Sequence, residues 1–151
     1  MGNTSKWNLK CTVHPFGSLG DYKFVVVCSR YNGKWLLSMH DDRDTWETQG
    51  GHIEAGEDVV QAARRELLEE SGVNEAELIP VCDYYGYTDN DSANGAVFLA
   101  DVKEIGKLPN NEMQAVGLFP LIPIPSDLTY PKVTPVLIYE ALNKCIELGI
   151  K

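Results

Sequence analysis

Three glutamates, Glu66, Glu69 and Glu70, stand close enough in the chain to share one face of a helix. At about 100° per residue, with Glu66 at zero, Glu70 falls near 40° and Glu69 near 300°. Like charges at this spacing destabilise a helix slightly, and Arg65, four residues before Glu69, offsets part of that cost. Carboxylate oxygens at close quarters suit a hard divalent cation. Magnesium keeps several waters and completes its shell with substrate phosphates. The competing reading is a solvated acidic face. The stretch 51–73 holds six acids against Arg64 and Arg65, a net −4 in 23 residues, while all 151 residues carry −9. The acidity is therefore concentrated rather than spread. Ala63, Val60, Leu67 and Leu68 fall at roughly 60–200° on the same wheel. They form an apolar stripe for the core, with the acidic face beside it.

The elements that must position these groups can be read around them. Residues 58–71 read as a helix, with Asp58 as cap, Gln61 completing a capping box and Gly72 ending it. Residues 46–48 read as a short strand before a Gly50-Gly51 turn. Upstream, 9–14 is a strand candidate, and 22–30 and 34–39 are apolar runs around Tyr31-Asn32-Gly33. Asn-Gly between such runs signals a hairpin, because both residues tolerate positive φ. Downstream, 77–87 and 96–103 read as strands joined by a polar loop over 88–95, which contains Asn90, Asp91 and Asn94. A further strand is expected at 116–121. A last helix starts near Thr134, with Pro135 suited to its first position and Leu137, Ile138, Ala141, Leu142 and Cys145 on one face. Strands and helices alternate irregularly, which fits a mixed sheet flanked by helices better than a regular βαβ series.

Composition bounds the function. The chain is 44% hydrophobic and 23% charged, ordinary values for a globular domain that speak against disorder. Its length suits one domain over 1–151, with a core that needs no staples. A pI near 4.7 speaks against general nucleic-acid binding, which needs a basic footprint. It leaves small phosphorylated ligands open, since a bound divalent cation reverses the local sign. No apolar run approaches a membrane span, and the first residues lack a secretory h-region. The four cysteines, Cys11, Cys28, Cys82 and Cys145, are far apart and read as buried free thiols. A cytoplasmic protein is expected. His14 and His40 have no metal-ligand spacing, so no zinc site is expected.

Gly51, Glu57, and Arg65-Glu66-Leu67-Leu68-Glu69-Glu70-Ser71-Gly72-Val73, with five and seven residues between them, together resemble the complete signature of the Nudix hydrolases. The flanks are similar to the family too: Trp46 to Glu54 enters the box, and Asn111-Glu112-Met113 with Leu118-Phe119-Pro120-Leu121 lies near the C-terminal region. One departure is Gln49, where many relatives have proline before the Gly-Gly pair.

The resemblance implies an α/β (α+β) fold, an α/β/α sandwich of a mixed sheet and helices with a loop–helix–loop catalytic box. It implies attack of water on a phosphorus of a nucleoside diphosphate linked to another group. Glu66 and Glu70 would be the principal Mg²⁺ ligands, Glu69 would share metal binding or water activation, and Gly51 would offer its carbonyl. Arg65 and Glu57 would pair or orient the glutamates, Gly72 would permit the tight geometry, and Glu112 would be a further ligand or base. Mn²⁺ is a substitute cation. The small size resembles the MutT-type branch, which acts on nucleoside triphosphates, including oxidised purines such as 8-oxo-dGTP, releasing monophosphate and pyrophosphate. ADP-ribose, a nucleotide sugar or an RNA 5′ end is the alternative, and a nucleotide sensor without turnover is the alternative of another class. Arg30, Lys34, Arg43 and His52 are candidates to meet phosphates, against ordinary surface solvation. Trp46 is a candidate to stack on a base, against packing, and Trp7 and Trp35 read as packing. The expected partner is a small nucleotide, with no membrane, for a monomer or homodimer.

Overall fold

The computed structural model describes residues 6–109 and 113–151. Seven strands, β1 (Lys10–His14), β2 (Tyr22–Tyr31), β3 (Lys34–His40), β4 (Gln49–His52), β5 (Ala76–Tyr87), β6 (Ser92–Val102) and β7 (Met113–Phe119), form one mixed sheet. Its order is β1-β5-β6-β2-β3-β7, with β4 also paired to β2. The β2–β6 pair is parallel and the others are antiparallel. Two helices cover the sheet, α1 (Val59–Ser71) and α2 (Thr134–Leu148).

Strand alternation explains the layers. Successive side chains point to opposite faces. On β2 and β6, Val25, Val27, Ala96, Phe98, Ala100 and Val102 pack with Ala62, Ala63 and Leu67 of α1. The intervening Cys28, Val97 and Leu99 pack with Leu137, Ile138, Ala141 and Cys145 of α2. Both faces of the central strands are thus covered, which gives the expected α/β/α sandwich. All four cysteines are free, and Cys28, Cys82 and Cys145 are buried. Burial drives the Cys28 and Cys82 thiols well above their ordinary range.

Local signals place several boundaries as expected. Asn32 and Gly33 take φ of 49° and 75° in the β2–β3 hairpin. Asp58 accepts from the Gln61 N–H at 2.8 Å while the Gln61 side chain accepts from the Asp58 N–H at 2.9 Å. Gly72 ends α1 with φ 80°, and proline occupies the first turn of α2.

Three expectations are corrected. The segment expected as a strand at 46–48 makes only isolated bridges, Ser38–Glu47 and Trp46–Leu128. The strand begins at Gln49, and Gly50 and Gly51 lie within it, opposite Val26 and Val25 of β2. They serve close approach rather than a turn. At Gly50, φ is 155° and an added methyl would overlap the Val25 carbonyl oxygen. The polar loop expected over 88–95 is shorter, because β6 starts at Ser92 and pairs with Tyr87. On α1, Val60 and Leu68 are exposed, and the buried residues are Ala62, Ala63, Glu66, Leu67, Glu70 and Ser71. Two carboxylates therefore lie within the buried face rather than beside it.

Candidate active site

The buried acids of α1 are accommodated because the strand across from them, β4, has no side chains at its two middle positions, Gly50 and Gly51. A methyl on Gly51 would overlap the Glu66 carboxylate, which occupies that space instead. Gly50 donates its N–H to Glu70 Oε1 at 2.9 Å. The glycine pair thus admits both carboxylates to the sheet, and each glycine does so by a different contact.

Arg65 organises the near side. Its Nε and Nη2 donate to the two oxygens of Glu57 at 2.6 and 2.9 Å, a bidentate pair. Its Nη1 donates to Glu66 Oε1 at 2.7 Å and to Glu69 at 3.3 Å, and Nη2 also reaches the His52 carbonyl at 3.0 Å. One planar guanidinium, with five donors in a fixed fork, therefore ties the loop before α1 to the acidic face. The pairing holds the Glu57 carboxyl well below its ordinary range, at about 2.

Glu66 behaves oppositely. Burial, and then the charge of Glu70, push it up to about 7 despite Arg65. Burial also raises Glu70, against hydrogen bonds from His40 and the Gly50 N–H. The far side of Glu70 faces a second polar cluster. His40 Nε2 lies 3.3 Å from Glu70 and 3.5 Å from Glu47. Glu47 is buried and accepts from Arg43 Nη1 at 2.6 Å and Thr129 Oγ1 at 2.9 Å. The Glu70 hydrogen bond raises the His40 pKa against burial.

Glu66, Glu69, Glu70, Arg65, His40, Arg43 and Glu47 all line one cleft of ≈ 870 Å³. Phe24, Val26, Tyr84, Val133 and Leu137 add apolar surface to the same lining. The Phe24 and Tyr84 rings stack at 6.0 Å, and Phe24 meets His52 edge-on at 5.4 Å.

The expected site residues divide. Gly51, Arg65, Glu66, Glu69, Glu70, His52 and Arg43 line the cleft. Glu57 stands behind Arg65, and Gly72 caps α1. The structure does not bring Arg30 or Trp46 into the cleft lining. Arg30 lies over the Trp35 ring at 4.4 Å, and Trp46 packs edge-on to Phe119 at 5.0 Å. Lys34 sits at the β2–β3 turn. Glu112 lies outside the described residues. Sequence reasoning missed His40, Glu47 and Gln49 as members of this site. Nothing local marks His40, since its partners come from a loop and from α1. Glu47 had a faint signal, a carboxylate between expected strand residues.

A family model described as the NUDIX domain matches residues 21–135. The chain belongs to the Nudix family. It is 34% identical over 85 residues to YtkD of Bacillus subtilis (strain 168), provisionally described as an 8-oxo-dGTP diphosphatase, a match over 56% of this chain and 53% of YtkD. It is 42% identical over 64 residues to the phosphatase NudJ of Escherichia coli (strain K12), over 42% of this chain and 33% of NudJ. These matches span about half and a third of the two relatives. Among solved structures, a variant of the Bacillus subtilis pyrophosphohydrolase BsRppH matches with TM-score 0.77 and 26% identity, over 92% of this chain and 91% of that one. The NUDIX domain of Shewanella oneidensis NrtR, complexed with ADP ribose, shares the fold with TM-score 0.66 at 17% identity, over 83% and 88%.

Nudix hydrolases generally use divalent metal ions, and the donor set here fits one. Two buried carboxylates face each other's charge, Arg65 meets only one oxygen of Glu66, and the other lies against Gly51. Such charge in a desolvated site calls for a cation. Among the described residues no group of three or more acidic, imidazole or thiol side chains is arranged to hold a metal ion, so water and phosphate oxygens would have to complete the shell. No helix among the described residues is long and apolar enough to cross a membrane.

Proposed function

We propose that this chain is a Mg²⁺-dependent pyrophosphohydrolase that cleaves a nucleoside triphosphate, oxidised purines such as 8-oxo-dGTP included, to monophosphate and pyrophosphate. The observation that carries the reading is the juxtaposition of Glu66, Glu69 and Glu70 with Gly50 and Gly51 in one cleft, whose lining also holds the apolar and aromatic residues Phe24, Tyr84 and Leu137. Charged groups and apolar, aromatic surface in one cleft suit the two halves of a nucleotide. The likeness to BsRppH over most of both chains supports the reaction class, and the likeness to YtkD supports the purine substrate.

Glu66 and Glu70 would hold the cation with the Gly51 carbonyl, and Glu69 would share in it; Mn²⁺ would substitute. When bound, the ion supplies neutralisation of phosphate charge and acidification of the attacking water. The chain's own residues do the rest. Arg65 fixes the Glu66 carboxylate by one oxygen and leaves the second against Gly51. Carboxylates at this wall can take the proton that water gives up as it attacks phosphorus. Glu57 holds Arg65 in place. Arg43 and Arg65 are both engaged by carboxylates, so compensation of the triphosphate charge falls to the cation. Phe24, Tyr84 and Leu137 offer the base an apolar surface.

The test is a panel of nucleoside triphosphates, 8-oxo-dGTP, ADP-ribose, nucleotide sugars and RNA bearing a 5′ triphosphate, each with and without Mg²⁺. Pyrophosphate release from triphosphates, lost in Glu70→Gln, is expected. Turnover of another member alone would move the substrate assignment. Tight binding with no product from any would replace hydrolysis with sensing.

A further inference from the structure

The sheet forks at Gln49. On the side of β2 away from β6, residues 29–31 pair with β3, whereas 24–27 pair with β4. Gln49 is the first residue of β4, opposite Val27, and its side chain is fully buried. The amide spans the fork. Its Oε1 accepts from Ser29 Oγ of β2 at 2.6 Å. Its Nε2 donates to the Leu36 carbonyl at 3.1 Å and to Ser38 Oγ at 2.8 Å, both on β3. The Leu36 carbonyl can only accept, which fixes the orientation of the amide. Ser38, also fully buried, passes its own proton on and donates to the Glu70 backbone carbonyl at 2.7 Å.

That carbonyl belongs to the last turn of α1, where a helix leaves its carbonyls without helical partners. Ser38 Oγ fills the vacancy. The next residue of β4, Gly50, donates to the Glu70 side chain. The start of β4 therefore holds Glu70 twice, by its backbone through Gln49 and Ser38, and by its carboxylate through Gly50. A proline at position 49 has no side-chain donor or acceptor and would supply none of these bonds.

We propose that Gln49 is a positioning residue for Glu70, acting through Ser38 to fix where the last turn of α1 presents its carboxylate. The proposal rests on the reading of Glu70 as a metal ligand. A buried network in which every member is satisfied is rigid, and losing one member leaves the others unpaired. Residues that orient metal ligands cost roughly 10- to 100-fold in metal affinity or activity when removed.

The network supplies its own control. Ser29→Ala and Ser38→Ala each delete one buried hydroxyl bonded to the Gln49 amide, so both lower stability. Only Ser38 touches Glu70. Mn²⁺ binding to the full chain, followed by electron paramagnetic resonance and calorimetry, is compared with thermal unfolding of the same samples. Ser38→Ala and Gln49→Leu should weaken Mn²⁺ binding about 10-fold or more, and Ser29→Ala should bind as wild type does despite its lower stability. The double variant Ser38→Ala/Gln49→Leu should lose no more affinity than the worse single one. If Gln49→Leu does not fold, the contrast between the two serine variants carries the test. Mn²⁺ affinity of Ser38→Ala equal to wild type, or of Ser29→Ala as low as Ser38→Ala, overturns the proposal while leaving the metal site standing. Absence of Mn²⁺ binding to the wild-type chain overturns the metal reading and this proposal with it.

Discussion

Removing the charge of Glu66 should stabilise the metal-free protein. This carboxyl is 8% exposed and is moved from an ordinary 4.5 to about 7 by burial and by Glu70. Below pH 4.5 it is protonated in both folded and unfolded chains, and the penalty is absent. Between 4.5 and 7 the unfolded chain ionises and the folded one resists, so stability falls; above 7 the full penalty is present. At ~1.4 kcal/mol per pH unit, the upper limit is about 3 kcal/mol. Partial access of water to the cleft reduces this to an expected 1–2 kcal/mol or so, on the order of 3–6 °C in Tm for a chain of this size. Glu66→Gln keeps an acceptor for Arg65 and abolishes the ionisation. In EDTA at pH 8, its Tm should exceed wild type by about that amount, and the two should converge near pH 4.5. The His40 pKa is also raised, by Glu70, so its contribution too is lost with rising pH, above 6.5. The difference between variant and wild type removes that background. Mg²⁺ should then stabilise wild type more than the variant. A variant no more stable than wild type at pH 8 in EDTA, or a difference independent of pH, would refute the reasoning.

Gly51→Ala drives a methyl into the Glu66 carboxylate, and should lose Mn²⁺ binding in a calorimetric titration. Glu57 is held at about 2 by Arg65, so its stabilising pair is present above 4.5 and lost as pH falls through about 2; Glu57→Gln should flatten the acid limb of a pH–stability curve in that window. Phe98 is fully buried under α1, and Phe98→Ala should cost ~3–5 kcal/mol in denaturant unfolding. Arg30→Gln should leave KM unchanged in the hydrolysis assay, because Arg30 lies on Trp35 and outside the cleft lining.

Much of this was legible because it is local. The spacing of Gly51, Glu57 and Arg65 to Val73 is a property of one stretch. So are the Asp58–Gln61 capping box and the left-handed Gly72, which depend on residues at most four apart. The Asn32-Gly33 hairpin is local in the same way.

What tertiary structure decided is which polar groups are buried, and against what. A helical wheel puts Glu66 and Glu70 together but does not know that the facing strand is Gly-Gly, so it placed the apolar stripe too far round toward Val60 and Leu68. Exposure of those two and burial of the acids follow from room left at Gly51. His40, Glu47 and Thr129 meet only because β3, the segment before β4 and the segment before α2 converge. Gln49 read as a departure from a pattern; the fork in the sheet makes it the bridge between Ser29 and Ser38. The sequence determined the chemical groups and the helix that presents them. The long-range pairing of β2, β3 and β4 decided their burial, because desolvation depends on neighbours far away in the chain.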